Sequence, residues 1–346
     1  MRHSRGIWRI EQAKRWLKYR VASRALVIMY HRVTELPNDP FLLSVAPRHF
    51  AEHLEVIRKH TTPIRLEQLI EALQAGRVPN RAIVLTFDDG YADNLYHAKP
   101  FLEHYEIPAT VFVTAGQVGS QSEFWWDELD RLLLQPGTLP DRLRLSINGN
   151  EYEWESGAPT MYTEQDYHRD RSWNVECQED PNPRHHLFRD LFKRLHSLPY
   201  QERCKAMNDL LAWSGAEPIS RPTHRALSLE EVVLLAKDGI IEVGAHTMMH
   251  PVLAALPVAE QQNEIQQSKE RLESILRSPV RSFAYPNGSS TPESAAALQQ
   301  AGFICACSSD PDAIWRGADI FHLPRLGVRD WDRGTFTRWL KWWIDG

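Results

Sequence analysis

Cysteine is scarce in this chain, and the sequence lacks both a basic charge excess and long apolar runs. The 346 residues include four cysteines without the spacing of a disulfide framework, which suits a reducing compartment. The net charge of −5 provides no overall basic field, so we expect no nucleic-acid partner. No run of eighteen apolar residues occurs, and therefore no membrane-spanning helix is predicted. What remains is the ordinary composition of a globular protein.

The two ends of the chain are basic and rich in tryptophan. Residues 1–24 hold eight Lys or Arg and one acid, Glu11, and the apolar run Leu26–Tyr30 is too short for a signal peptide. We therefore predict a basic N-terminal helix over 1–24 and a cytoplasmic protein. A second such segment predicts a C-terminal helix over 331–346. Helices of this kind either cover their own domain or meet anionic lipid, so peripheral contact with the inner membrane stays open.

Short apolar runs rich in β-branched residues alternate with helical patterns along most of the chain. One helix, for example, opens with the capping box Ser228-Leu229-Glu230-Glu231 and ends at Gly239. Such alternation is typical of a parallel α/β sheet or barrel, and seven strands favour a barrel short of the usual eight. The predicted strands cover residues 25–30, 82–87, 109–114, 240–245, 280–285, 303–308 and 321–328.

This rhythm breaks between residues 119 and 225. The runs 143–147 and 151–154 flank the turn Asn148-Gly149-Asn150 and predict a hairpin. A structureless loop of this length is improbable inside a compact domain, so we predict an inserted subdomain. The predicted organisation is a basic helix (1–24), a barrel (25–118 and 226–330), an inserted subdomain (119–225) and a C-terminal helix (331–346).

Two adjacent carboxylates, Asp88 and Asp89, end one of the predicted strands within Thr86-Phe87-Asp88-Asp89-Gly90. An isolated Asp-Asp-Gly is usually a solvated turn. Here it follows an apolar strand directly, and the turn of the chain at the strand end can bring both carboxylates to one site. Because two acids this close repel each other unless a cation neutralises one, the motif indicates a bound cation.

Two histidines four residues apart, His246 and His250, follow another predicted strand. That spacing places both imidazoles on one side of a single turn. Alone, such a pair is more often two surface histidines than a ligand pair. One Asp and two His together are typical of an open, hydrolytic metal site, and they leave the second Asp free to act as a base.

Other polar groups lie at or near the ends of the remaining strands of interest. They are His31, the turn Tyr285-Pro286-Asn287-Gly288, and Arg325. A parallel barrel builds its active site at the C-terminal ends of its strands. We therefore expect these groups on the same face of the barrel as the Asp and His motifs.

The Thr-Phe-Asp-Asp-Gly and His-Thr-x-x-His motifs resemble those of the polysaccharide deacetylases, the NodB-homology carbohydrate esterases of family four. The resemblance extends over residues 26–328 and implies a distorted (β/α)7 barrel. It also implies a divalent ion, most simply zinc, held by Asp89, His246 and His250. Asp88 would be the general base, and Thr247 matches the residue that braces the metal loop.

The chain departs from this family pattern at two positions. Ala284 stands where the family usually carries the Arg that orients the catalytic Asp, so Arg325 is our candidate for that role. The C-terminal Leu-x-His motif is missing, whereas His31 ends the first strand, which resembles the circularly rearranged exopolysaccharide deacetylases. We therefore predict His31 as the general acid and the Asn287 N–H as the oxyanion donor.

The implied reaction removes N-acetyl groups from amino sugars of a surface polysaccharide or its lipid-linked precursor. A deformylase or an O-acetyl esterase of a related glycan, a metal-dependent phosphoesterase or peptide hydrolase, and a catalytically silent carbohydrate-binding homologue remain alternatives. The candidates for stacking on sugar faces are Tyr91, Trp125, Trp126 and Tyr285. For Trp125 and Trp126, core packing is at least an equal alternative.

Overall fold

The computed structural model describes residues 23–155 and 161–345, so the basic helix predicted over 1–24 lies almost entirely outside the described residues. The strands are β1 (Leu26–Tyr30), β2 (Arg32–Val33), β3 (Ser44–Val45), β4 (Thr62–Pro63), β5 (Ala82–Phe87), β6 (Ala109–Val113), β7 (Gly137–Thr138), β8 (Arg142–Ile147), β9 (Asn150–Glu155), β10 (Met161–Tyr162), β11 (Ile241–Ala245), β12 (Ser282–Ala284), β13 (Cys305–Cys307) and β14 (Leu326–Gly327). The α-helices are α1 (Pro47–His60), α2 (Leu66–Gln74), α3 (Lys99–Tyr105), α4 (Trp125–Leu133), α5 (Glu164–Asp170), α6 (Pro183–His196), α7 (Tyr200–Ser214), α8 (Leu229–Ala236), α9 (Val258–Leu276), α10 (Pro292–Gln300) and α11 (Arg333–Asp345).

Seven strands form a curled parallel sheet in the order β13-β12-β11-β6-β5-β1-β14, and β4 pairs with β5 beside this path. A parallel bridge between Cys307 and Leu323 links β13 to the segment just before β14. Each of the seven runs predicted from the sequence contains one of these strands. The prediction of a distorted (β/α)7 barrel is therefore confirmed.

The central strands are buried along nearly their whole length. Every residue of β5 and β6 is buried, as are four of the five residues of β1. Parallel strands covered on both faces need such continuous apolar runs. Because the strands run in the same direction, the residues that follow them gather at one end of the sheet, where His31, Asp88 and His246 lie.

The segment that follows β6 folds into helices α4–α7 and short strands. Within it, β8 and β9 pair antiparallel with Leu145 opposite Tyr152, and Asn148 and Gly149 both have positive φ angles. The predicted hairpin is therefore confirmed, because its tight turn requires left-handed residues. The segment has its own buried apolar cluster, which includes Leu143, Phe188, Leu191 and Leu210. The boundaries 119–225 stay a prediction.

The C-terminal helix α11 lies against α1. It buries Phe336, Leu340 and Trp343, and the Phe336 ring stacks on His53 with centroids 3.9 Å apart. The opposite face leaves Trp342 57% exposed. Among the described residues, no helix combines the length and the apolar character needed to cross a bilayer.

Candidate active site

Asp89, His246 and His250 meet at the C-terminal end of the sheet. The Asp89 Oδ1 atom lies 3.4 Å from the His250 Nε2 atom and 3.7 Å from the His246 Nε2 atom. One candidate ligand atom from each residue lies within 4.8 Å of the other two. Metal–ligand bonds of about 2.0–2.2 Å separate the ligands of a tetrahedral ion by roughly 3.4 Å. The three side chains are therefore spaced to hold one divalent ion.

Left-handed backbone shapes both motifs. Asp89 and Gly90 have φ angles of 72° and 84°, and Thr247 and His250 have φ angles of 63° and 53°. A Cβ atom on Gly90 would approach Val113 to 3.1 Å, so this close turn favours glycine. Left-handed conformations of other residues cost free energy and persist only where the surroundings impose them. Their concentration here is typical of a functional site.

A backbone carbonyl orients the His246 ring. The Nδ1–H group donates to the Ala284 carbonyl at 2.8 Å, which turns Nε2 toward Asp89. Burial lowers the pKa of His246 to about 4, against the opposing effect of Asp88. The ring is therefore neutral near pH 7 and offers the lone pair that a metal ligand needs.

The turn between the two histidines is fixed by side-chain hydrogen bonds. The Thr247 hydroxyl donates to the His246 carbonyl at 2.6 Å and accepts the His250 N–H at 3.0 Å. Glu264 accepts the N–H groups of Met248 and Met249, each at 2.9 Å. Thr247 therefore connects the two histidines, as expected for a residue that braces the metal-binding loop.

Asp88 is paired with Arg325 in a bidentate ion pair. The Nη1–Oδ1 and Nη2–Oδ2 distances are both 2.7 Å, and Arg325 also donates to the Ser308 carbonyl at 2.7 Å. Burial by itself raises the pKa of Asp88, but the Arg325 guanidinium, together with smaller contributions from His246 and His31, holds the pKa well below its usual range. Arg325 therefore makes the contact with Asp88 that would be expected of the family's arginine, whose place in this chain is taken by Ala284.

His31 and Asn287 line the same pocket. The His31 carbonyl accepts from the Asn94 amide at 2.9 Å, whereas no described group makes a hydrogen bond to its ring. In the turn Pro286–Gly288, the N–H of Gly288 donates to the Tyr285 carbonyl and that of Ser289 to the Pro286 carbonyl. No described group accepts the Asn287 N–H, which leaves it available to a ligand.

The remaining pocket wall consists of residues that the sequence analysis missed. They are Met29, Phe41, Leu43, Phe192, His196 and Ser309, beside the candidate Trp125. The Phe192 ring lies 4.6 Å from that of Phe41 and stacks on Trp125 at 5.2 Å and 14°. No local motif marks these residues, because the helix pattern that contains Phe192 and His196 predicts burial alone.

The prediction that Tyr91 could stack on a sugar was wrong. Tyr91 is fully buried, and its hydroxyl donates to Asp127 at 2.7 Å while accepting from Trp126 Nε1 at 2.9 Å. The Arg32 guanidinium lies 4.3 Å from its ring. Trp125, Trp126 and Tyr285 do line the pocket, although Tyr285 is as fully buried as Tyr91 and Trp126 is only 6% exposed.

The polysaccharide deacetylase family model matches residues 75–138 and 219–306, which contain both the Asp and the His motif. A poly-β-1,6-N-acetyl-D-glucosamine N-deacetylase of Staphylococcus aureus (strain MSSA476) is 29% identical in an alignment of 119 positions that covers 31% of this chain and 41% of that relative. The chain thus aligns with about two fifths of the length of such curated relatives.

Two solved structures share the fold over most of both chains. IcaB from Ammonifex degensii gives a TM-score of 0.58 at 18% identity, covering 94% of this chain and 98% of that one. The Streptococcus pyogenes deacetylase PplD, in complex with acetate, gives a TM-score of 0.56 at 15% identity, covering 92% and 98%. The chain therefore matches the polysaccharide deacetylase family model over both of its motifs, and its fold is similar to that of solved deacetylases.

Proposed function

We propose that this protein is a metal-dependent N-deacetylase that releases acetate from amino sugars of a surface polysaccharide or its lipid-linked precursor. The observation that carries the proposal is the position of the Arg325-paired Asp88 directly beside the cluster of Asp89, His246 and His250. The name of the Staphylococcus aureus relative supports an N-acetylglucosamine polymer as the substrate class.

The donor set of the cluster fits zinc or a similar divalent ion. It combines one carboxylate with two imidazoles, and three protein ligands are typical of a catalytic rather than a structural site. When bound there, such an ion lowers the pKa of a water molecule and polarises the acyl carbonyl. We propose zinc as the ion and Asp89, His246 and His250 as its ligands.

Asp88 is proposed as the general base. Arg325 keeps its carboxylate ionised and fixes its orientation through two hydrogen bonds. In that state Asp88 can take the proton of the water that attacks the N-acetyl carbon. The Asn287 N–H, which no described protein group accepts, can donate to the carbonyl oxygen as negative charge develops on it.

His31 is proposed as the general acid. An amide nitrogen must be protonated to leave, because an amide anion is too basic to depart. The His31 ring lines the pocket and is not engaged by a described protein group, so it can deliver that proton to the amine. The products are acetate and a free amino sugar.

The test is acetate release from N-acetylhexosamine oligomers and lipid-linked glycans, with and without a chelator. Formamido and O-acetyl glycans distinguish the deformylase and esterase alternatives. We expect acetate from an N-acetyl substrate, loss of release with chelator, and loss in the Asp88→Asn variant. Release of formate or of ester-derived acetate alone would favour those alternatives, and no turnover on any substrate would favour a catalytically silent homologue.

We also propose that the protein works in the cytoplasm, at the inner face of the inner membrane. The support is the exposed Trp342 beside the exposed Lys341 on α11, since an aromatic residue next to a cation suits a membrane interface. The buried face of the same helix is occupied by the barrel, so any lipid contact would use the outer face alone.

A further inference from the structure

His250 is the least buried of the three candidate ligands. Its side chain is 12% exposed, against 2% for His246 and 3% for Asp89. The Ala284 carbonyl fixes the His246 ring, but no described carbonyl or carboxylate does the same for the second ring nitrogen of His250. Because ligand orientation depends on such supporting contacts, the His250 ring must be held in another way.

Besides His246, the ring that packs against His250 is that of Trp126, the second residue of α4. The two ring centroids are 4.8 Å apart and the planes are inclined at 57°. Trp126 is itself immobilised, because its Nε1–H donates to the Tyr91 hydroxyl and its ring stacks on Phe124 at 4.7 Å and 13°. The Tyr91 hydroxyl donates in turn to Asp127. The indole therefore presents a fixed surface to His250.

A second contact reaches the same turn from α7. The Arg203 Nη2 group donates to the Met249 carbonyl at 3.0 Å, one residue before His250. Arg203 is 3% exposed, and its guanidinium lies 5.3 Å from the Trp125 ring. A hydrogen bond from a buried guanidinium restricts the position of that carbonyl. Two helices of the segment between β6 and β11 thus contact the His250 turn.

We propose that this segment is a structural part of the metal site, with Trp126 and Arg203 as positioning residues that hold His250 in its ligating orientation. The inference rests on the proposed metal dependence but goes beyond it, since it assigns the inserted helices a role in metal affinity. Neither residue need touch the substrate for this role.

The experiment measures zinc affinity by competition with a chromogenic chelator. The variants are Trp126→Leu, Arg203→Met and Arg203→Lys in the full chain. Trp173→Leu is the matched control, because Trp173 is also 6% exposed and donates its indole N–H within the same segment, to the Glu179 carbonyl at 3.2 Å. Circular dichroism verifies folding, and Arg203→Met keeps the test valid if Trp126→Leu does not fold.

We expect Trp126→Leu and Arg203→Met to weaken zinc binding by roughly 10–100-fold, the usual effect of losing a supporting contact. Arg203→Lys should restore part of the loss, and Trp173→Leu should bind like the wild type. Wild-type zinc affinity with a raised KM in Trp126→Leu and Arg203→Met would overturn the inference and make these residues substrate contacts. If the wild type binds zinc no better than His250→Ala, the proposed function fails instead.

Discussion

Arg325 and Asp88 are separated by 237 residues in the sequence, yet they form two hydrogen bonds of 2.7 Å at the mouth of the barrel. Arg325 directly precedes β14, the last strand of the sheet. In the sheet, β1 lies between β14 and β5, and Asp88 directly follows β5. The same guanidinium is anchored on the Ser308 carbonyl after β13. The pair therefore links the residue that follows β5 to the residue that precedes β14, and the Ser308 contact adds the segment after β13.

Arg325→Met should impair both stability and activity. Removing one partner of a buried ion pair lowers the free energy of unfolding by about 3–5 kcal/mol, because the remaining charge is uncompensated. Burial then acts on Asp88 with less opposition and raises its pKa, so the acid limb of the kcat/KM profile should move to higher pH. Chemical denaturation and a pH–rate profile measure the two effects. A profile that keeps its wild-type acid limb would contradict the role of Arg325.

His31→Ala should leave metal binding intact and lower turnover of N-acetyl substrates by roughly 10²–10⁴-fold, the usual contribution of a general acid. An activated aryl acetate should lose much less, because its leaving group needs little protonation. Steady-state kinetics on both substrates, with metal analysis of the purified variant, provide the comparison. Equal losses on the two substrates, or loss of bound metal, would show that His31 is structural or a ligand.

His53 predicts an acid-sensitive contact between α1 and the C-terminal segment. Its Nε2–H donates to the Trp331 carbonyl at 2.7 Å, and burial lowers its pKa to about 4 from the ordinary 6.5. Between those values the unfolded chain binds a proton that the folded protein excludes. Stability is therefore lost as pH falls from 6.5 towards 4, by about 3 kcal/mol at most.

The His53→Gln variant tests this dependence, because glutamine can donate to the same carbonyl without titrating. Its free energy of unfolding, measured by urea denaturation between pH 7 and 4.5, should change less steeply with pH than that of the wild type. Identical slopes for the two proteins would exclude His53 as the source of acid sensitivity.

The full chain should float with vesicles of anionic lipid at low salt if the proposed location is right. Trp342→Ser should reduce the bound fraction, because the exposed indole is lost from the outer face of α11. Phe321→Ser, at a partly exposed aromatic residue away from α11, is the control and should bind like the wild type. Absence of flotation by the wild type would dispose of the membrane proposal.

The sequence was sufficient for the strands and for the grouping of Asp88, Asp89, His246 and His250, because each depends on a local pattern and on the shared direction of parallel strands. It was also sufficient to nominate Arg325 as the partner of Asp88, because Ala284 replaces the arginine of the family motif, although Arg325 directly precedes β14 and does not follow it. It failed for Tyr91. The left-handed Gly90 redirects the chain, and Tyr91 bridges to Ala226 beneath the site.

Tertiary placement determines the rest of the pocket. Phe192, His196 and Arg203 lie on helices whose apolar spacing predicts a buried face but not what that face meets. The approach of these helices to the His250 turn depends on packing across the whole inserted segment. Neither a motif nor a charge pattern in the sequence specifies that packing, so these residues could be identified only from the structure.

The most direct test of the central claim compares metal content and turnover in the wild type and His250→Ala. The account predicts about one divalent ion per wild-type chain, loss of acetate release when that ion is removed, and recovery when zinc is restored. In His250→Ala, metal stoichiometry and activity should fall together. Full activity in a rigorously metal-stripped wild type would contradict the account.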